Sequence, residues 1–302
     1  KFRGDPRLFL SGMRYIEDKT GKPGFGLIPF YTDILIDPED SVAVQEDRRT
    51  LKPIGPKTVN IAVLKLRAIS NFTDMEGLER EKDVVVNYLF RPQDLSPEYD
   101  CLILPGTKNT MEDAAWLARS GWKKEIKRFV EGGGRILGIC GGYQLLGEVV
   151  RDSFGVESDL KMIRGLGILP VETLLEGEKV VRKVTGTALT TGKRVGGYEI
   201  HMGRTRILKK TGGPLLRIHE PGKRRVWEDG WTLNDGHIAG TYVHGILDSP
   251  GFRGDFLNRI RQAKGLKERS PGPGRLARFH QYDRLADHFE SHCDVEGILA
   301  RL

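Results

Sequence analysis

Four runs of the chain are apolar at nearly every position: VNIAVLKL (59–66), DVVVNYLF (83–90), DCLILPG (100–106) and GRILGIC (134–140). Runs apolar on both faces belong to strands of a parallel sheet covered by helices on each side. Between them, MEDAAWLARSG and WKKEIKRFVEGGG have helical spacing, and the glycines that close the second suit a C-terminal cap. GGYQLLGEVV predicts a further helix directly after GRILGIC. Strand and helix alternating across short joints predict an α/β fold with a flavodoxin-like, mostly parallel, doubly wound sheet. Ligands of such sheets lie at the carboxyl ends of the strands. LPGTKNT and GICGGYQ both fall there.

The flanking regions read differently. LGILPVETLL, KVTGTAL, VGGYEIHMGRT and GHIAGTYVHGILDS make the second half richer in β-structure. PGPGR marks a break near residue 272, and YDRLADHFESHCDVEGILARL predicts one or two amphipathic helices. Toward the start, KPGFGLIPF predicts a short buried strand, DPEDSVAVQEDRR is acidic and then polar, and LKPIGPK has the composition of a linker. The expected organisation is a remnant and linker over 1–56, a central domain over 57–250 and a helical C-terminal extension over 251–302. The first fifty residues look like an incomplete unit, and Lys1 is not a methionine, so the chain is expected to be the back part of a longer protein. Such an orphan is expected to pack on the central domain, pair with a neighbouring chain or be poorly ordered.

Composition narrows the class. The chain has 302 residues, 38% hydrophobic and 29% charged, as in ordinary globular proteins. No apolar run approaches the roughly 20 residues that cross a bilayer, and the polar opening KFRGDPR is not that of a signal peptide. Three cysteines without a CxxC pair speak against a disulfide framework or a zinc site, and a cytoplasmic location is expected. Much of the net charge of +7 comes from RTRILKKTGG and PGKRRVW. These segments read first as a solvated hairpin, with a dock for an anion as the alternative. No nucleic-acid module and no stacking series of aromatics accompanies them.

The candidate chemistry centres on Cys140. Glycines at 138, 141 and 142 surround it, between a buried strand and a helix. A strand that turns abruptly into a helix forces its apex residue into a strained backbone region and leaves no room for neighbouring side chains. The apex then points into the crevice, as in a nucleophile elbow with Cys in place of Ser. The first N–H groups of the following helix favour thiolate, the reactive form. A small buried cysteine in a glycine-rich turn is the plainer alternative. A thiolate needs a base and an oxyanion hole. His244, in GTYVHGILD, ends a strand-like stretch and is the first candidate; His201, in GGYEIHMGRT, is the second. His219, His237, His280, His288 and His292 have surface-like contexts. The N–H groups of Gly141 and Gly106 are the candidate oxyanion donors.

GICGGYQ, LPGTKNT, GGYEIHMGRT and TYVHG together resemble the class I glutamine amidotransferase domain of the cobyric and cobyrinic acid synthases. KFRGD, GKPGFGLIPF and PEDSVA resemble the end of the ATP-dependent synthetase domain of the cobyric acid branch, and YDRLADHFESHCDVEGI resembles that branch's tail. The resemblance implies that Cys140 attacks the side-chain amide of glutamine, that His244 acts as base and acid, and that Gly106 and Gly141 hold the oxyanion. It places Gln144, Tyr198, Glu199 and His201 near glutamine or a domain interface. It implies no metal and no cofactor in this chain. ATP and Mg²⁺ would serve the missing N-terminal synthetase domain, where ammonia converts adenosylcobyrinic acid a,c-diamide to adenosylcobyric acid by four amidations. No nucleic-acid or membrane partner is implied.

Two departures accompany the resemblance. Many class I amidotransferases carry Glu two residues after the His; here Ile246 stands there. Either Glu199 orients His244 or the Cys–His pair works unaided. GTALTTGKR (186–194) misses the phosphate-binding pattern by one residue of spacing and by Arg after the Lys, and reads as a turn. Other readings stay open: a cobyrinic acid a,c-diamide synthase or related glutamine-dependent ligase, a cysteine hydrolase or peptidase of the same fold, or a non-catalytic scaffold.

Overall fold

A computed structural model describes residues 2–34, 50–272 and 276–301. DPEDSVAVQEDRR and most of PGPGR lie outside the described residues. Contacts divide the chain into two compact units, residues 1–40 with 273–302, and residues 41–272.

The larger unit is built on β1 (Val59–Leu64), β2 (Val84–Leu89), β3 (Cys101–Leu104) and β4 (Arg135–Ile139), the four apolar runs. All six residues of β1 are buried. Its side chains alternate between two cores, Ile61 and Val63 on one face, Ala62 and Leu64 on the other. That is why the run has no polar face. Each buried aliphatic side chain contributes about 1.5–3 kcal/mol. The other strands are β5 (Val149–Arg151), β6 (Met162–Arg164), β7 (Val171–Ala188), β8 (Arg194–Ile207), β9 (Leu216–His219), β10 (Val226–Asp229), β11 (Trp231–Leu233), β12 (Ile238–Thr241) and β13 (Val243–His244). The first sheet has the order β11-β12-β4-β3-β1-β2, parallel except for β11. Strands 2-1-3-4-12 give the flavodoxin-like order, as expected.

Helices of this unit are α1 (Glu76–Glu79), α2 (Thr110–Arg119), α3 (Trp122–Glu131), α4 (Gly141–Leu146) and α5 (Pro250–Ala263). The helix expected over GGYQLLGEVV stops early: α4 ends at Leu146, Gly147 is extended, and Val149 starts a strand. Gly147 has Val171 O and Gln144 O pressed against it, so the chain turns there into the second sheet.

The second sheet has the order β10-β9-β7-β5-β6, with β8 pairing both β7 and β13. It is antiparallel except for the β5–β7 pair. β7 and β8 form a long hairpin whose turn is GTALTTGKR, the turn expected from its failed phosphate-loop spacing. The basic segments lie on β8–β10. Arg206 pairs with Glu172, Arg204 with Glu176 at 2.9 Å, and both arginines are largely exposed, a solvated ion-pair surface.

In the smaller unit, a helix over Leu10–Thr20 forms where no element was anticipated. Its signals were local: Asp5 caps the preceding 3-10 turn, Pro6 opens that turn, and Gly21 at φ 62° closes the helix. KPGFGLIPF is not the buried strand expected. It makes isolated bridges, Phe2 with Pro29 and Gly26 with Cys293, and is half-buried or exposed. Prolines at 23 and 29 remove ladder donors. The C-terminal helices span Leu276–Glu290 and Val295–Leu299. Only Ile34 is buried among the described residues of this unit. Among the described residues, no helix is long and apolar enough to cross a membrane.

α5 is locked to the segment between α1 and β2 by buried charge. Arg253 is 1% exposed and donates to Glu81 Oε1 at 2.8 Å, Leu247 O at 2.8 Å and Gly272 O at 2.6 Å. Removing the anion from such a pair leaves a guanidinium without charge compensation. Glu81→Ala is therefore expected to lower stability by about 3 kcal/mol in urea unfolding.

Candidate active site

β4 delivers Cys140 to the carboxyl end of the sheet, and α4 begins immediately after it. Cys140 has φ 54° and ψ −111°, a strained conformation for a residue with a side chain, costing about 1–3 kcal/mol. Its N–H donates to Thr241 O at 2.8 Å and its carbonyl accepts from Gln144 N at 3.1 Å. The glycines permit the turn sterically. A Cβ on Gly142 would stand 2.0 Å from Leu104 O, and one on Gly138 would stand 2.6 Å from Gly142 O. The Cys140 thiol reaches Ile200 O at 3.4 Å, inside the GGYEIHMGRT segment of β8. Cys101, wholly buried in β3, has its thiol pushed up to about 12 by burial, so it is the inert counterpart.

His244 arrives by a strand that changes sheets. β12 pairs in parallel with β4, Thr241 opposite Ile139, and the chain then passes through Tyr242 and joins β8 as β13. His244 therefore lies three residues beyond the partner of the elbow strand. Buried Asp229 holds this crossover: Thr241 Oγ1 donates to its carboxylate, and Tyr242 N–H lies 3.3 Å from both of its oxygens. Burial raises the Asp229 carboxyl to about 7.

His244 is fully buried. Its Nδ1 lies 2.7 Å from Asp74 Oδ2, and Asp74 Oδ1 accepts from Gly245 N at 2.7 Å. Asp74 comes from the 3-10 turn Phe72–Met75, just after β1. Burial pulls the imidazole's pKa down, but the Asp74 carboxylate and, after it, the neighbouring Cys140 outweigh it and raise it to about 10. With Nδ1–H donated to Asp74, Nε2 is the nitrogen left for Cys140. Asn71 Nδ2 lies 3.2 Å from that nitrogen, and the Tyr198 ring stacks on the imidazole at 5.3 Å.

Glu199 does not orient His244. Its carboxylate is paired with Arg182 and lies 3.9 Å from His201 Nε2. Burial raises its pKa, but His201 and Arg182 together hold it below the ordinary carboxylate range. Ile246, at the position where a Glu was sought, is fully buried in the core, and the carboxylate comes instead from Asp74, in the turn that follows β1. Asp74 was missed because ISNFTDMEGL carries no motif by itself. The available signal was its place at the carboxyl end of β1, where sheets of this class keep their functional residues.

The other expected residues gather round this centre. Gly106 and Gly141 flank it: a Cβ on Gly106 would stand 2.9 Å from His244 Cε1, and one on Gly141 would stand 2.5 Å from Thr107 Cγ2. Tyr198 lies opposite His244 in the β8–β13 pair. His201 stacks on Tyr242 at 3.8 Å, and its Nε2 is buried without a hydrogen-bond partner among the described residues. Gln144 is engaged by the protein: Nε2 donates to Met202 O at 3.0 Å, and Oε1 accepts from Thr110 Oγ1 at 2.7 Å. It braces α4 against α2 and β8.

A flavodoxin-like sheet with a cysteine on a strained elbow at its carboxyl end is the fold of class I glutamine amidotransferases. The profile of the CobB/CobQ-like glutamine amidotransferase domain matches residues 60–252, and the chain belongs to this family. Proteins named cobyric acid synthase from Syntrophobacter fumaroxidans and Streptococcus sanguinis are 40% and 41% identical to it over 99% of its length. The match covers 60% and 59% of those proteins, so the chain spans about three fifths of the curated relatives it matches. The solved structure of PurLQS from Thermotoga maritima shares the fold, with TM-score 0.51 and 19% identity over 67% of this chain and 99% of that one.

Gly142→Ala is expected to cost about 3 kcal/mol, read by urea unfolding, because the new methyl meets a strand carbonyl rather than a movable side chain. The His244 shift carries its own pH signature. The charged imidazole stabilises the fold fully below its unfolded value near 6.5, and that contribution is lost as pH rises through about 10. The stability gap between the native chain and Asp74→Asn should narrow over that window, in urea titrations under reducing conditions.

Proposed function

We propose that this chain is the glutamine-hydrolysing part of an adenosylcobyric acid synthase. The observation that carries the reading is the meeting of Cys140, on its strained elbow, with His244 held by Asp74, in a chain of the CobB/CobQ-like glutamine amidotransferase family. Cys140 Sγ attacks the side-chain carbonyl carbon of glutamine as the thiolate, beside His244 as the imidazolium that its raised pKa favours. The N–H groups of Gly141 and Gly106 receive the oxyanion of the tetrahedral intermediate. His244 then gives its proton to the leaving nitrogen, the C–N bond breaks and ammonia departs. A γ-glutamyl thioester remains. Water, deprotonated by His244, attacks it, glutamate leaves and the thiol is restored. Asp74 keeps the imidazole in the required tautomer and stabilises its charged form. Tyr198 and His201 line the glutamine side of the centre, while Gln144 and Glu199 brace it.

Ammonia would pass to the synthetase part present in the longer relatives, for amidation of adenosylcobyrinic acid a,c-diamide in cobalamin biosynthesis. ATP and Mg²⁺ would activate the corrinoid carboxylates there. The residues of this chain do not fit that pair. GTALTTGKR is a β-hairpin turn rather than a strand-to-helix phosphate cradle, and no cluster of three metal-ligating side chains occurs among the described residues. No step on this chain therefore runs through ATP.

A diazo-ketone analogue of glutamine tests the reading, followed by intact mass and peptide mapping, with iodoacetamide reporting bare thiol reactivity. One adduct on Cys140, suppressed by glutamine and absent in Cys140→Ala, is the expected result. Alkylation of Cys140 by iodoacetamide without capture of the analogue would sink the glutamine assignment and favour another cysteine hydrolase. Asp74→Asn should lower glutamine hydrolysis by about 100-fold.

A further inference from the structure

We propose that Asn71 is a positioning residue for His244, whose side-chain amide reverses its hydrogen bonds as the imidazole gains and loses the proton of Cys140. The inference rests on His244 acting as the proton carrier proposed above. It explains why a single turn reaches both nitrogens of the ring. Asp74 closes the turn at Nδ1, 2.7 Å away, and Asn71 opens it at Nε2, 3.2 Å away. On its other side the Asn71 amide meets Tyr198, whose hydroxyl donates to Oδ1 at 3.2 Å. The amide thus bridges the reacting nitrogen and the phenol that stacks on the same ring.

The chemistry of Nε2 demands such a partner. In the neutral ring, with Nδ1–H donated to Asp74, Nε2 is an acceptor, and Asn71 Nδ2–H can donate to it. Once Nε2 carries the proton from Cys140 it is a donor, and the same amide group would oppose it. A carboxamide carries a donor and an acceptor of nearly equal shape on one carbon. Turned over, it presents Oδ1 to Nε2–H and Nδ2–H to the Tyr198 oxygen, while the phenol rotates its own O–H away. Both protonation states then keep two hydrogen bonds at Asn71. An aspartate there suits only the charged ring, and a residue without a polar side chain suits neither.

Folding of the turn does not explain the side chain. Asn71 O accepts from Asp74 N at 3.1 Å, so the backbone closes the turn. The left-handed backbone at Asn71, φ 53° and ψ 55°, is one that glycine adopts without cost. Asn71→Gly therefore removes the amide and leaves the turn its conformation. The titratable groups facing His244 are Asp74 from the turn, Cys140 from the elbow and Tyr198 from β8.

The test compares Asn71→Gly, Asn71→Asp and Tyr198→Phe with the native chain. Glutamine hydrolysis is measured between pH 6 and 10, and ¹⁵N spectra of histidine-labelled protein are titrated from pH 6 to 12, with His244 assigned by its loss in His244→Gln. Asn71→Gly is expected to lower kcat about tenfold and to leave KM for glutamine within about twofold, the loss of one hydrogen bond to the reacting group. Its His244 Nε2 resonance should move, Tyr198→Phe should act in the same direction more weakly, and Asn71→Asp should raise the pH at which the imidazole deprotonates. Unchanged kcat with unchanged nitrogen shifts in Asn71→Gly would overturn the proposal, as would a loss confined to KM. Should Asn71→Gly fail to fold, the deprotonation pH in Asn71→Asp decides in the same way. A native chain that hydrolyses no glutamine would defeat the glutaminase reading, whereas the nitrogen shifts would still decide the contact.

Discussion

The backbone of Cys140 is the constraint around which the rest of the centre is arranged. A non-glycine residue at φ 54° persists only where its surroundings leave it no alternative. Here they do so from both sides. Thr241 O holds the N–H, and the start of α4 lies against the ends of β3 and β4 so closely that Gly142 has no space for a Cβ. Strain at the apex is thereby offset by packing and by hydrogen bonds behind it. The side chain is left facing the crevice beside Ile200 O and His244.

The two sheets meet at this point for a physical reason. β12 belongs to the first sheet beside the elbow strand, and β13, starting only two residues after β12 ends, belongs to the second. Cys140 and His244 are thus fixed by neighbouring strands, while the wall opposite them, Tyr198 to His201, comes from the long β7–β8 hairpin. Moving a chain between sheets exposes its backbone polar groups to burial without ladder partners. Asp229 supplies acceptors at that place, to Thr241 and Tyr242. Buried charge is distributed by the same logic elsewhere: Glu199 faces Arg182, Arg253 faces Glu81, and Asp74 faces His244. Of these three anions, Asp74 is the one hydrogen-bonded to His244.

Sequence and structure agree where the signal is local. The four strands are legible because a strand covered on both faces is apolar at nearly every position, its few polar side chains such as Asn60 and Asn87 being hydrogen-bonded, and the elbow because only glycine tolerates the approaches around Cys140. The α4 helix was read too long for an equally local reason: VV after Gly147 suits either a helix or a strand, and pairing with β7 settles it. KPGFGLIPF was read as buried because it is apolar, yet burial needs a second surface, and the segment finds only isolated bridges.

By itself, the sequence determined the doubly wound sheet, placed Cys140 on a glycine-flanked elbow and singled out His244 as a candidate among seven histidines. Each follows from short-range patterns, of hydrophobic run, glycine spacing and strand end. Tertiary structure alone decided what holds the histidine. Asp74 and His244 are 170 residues apart and Asn71 is 173 residues from the same ring, with nothing in either segment that names the other. Their meeting depends on β1 and β12 ending on the same side of one sheet and on the chain crossing to β13. That is a property of the assembled topology, which no local pattern encodes.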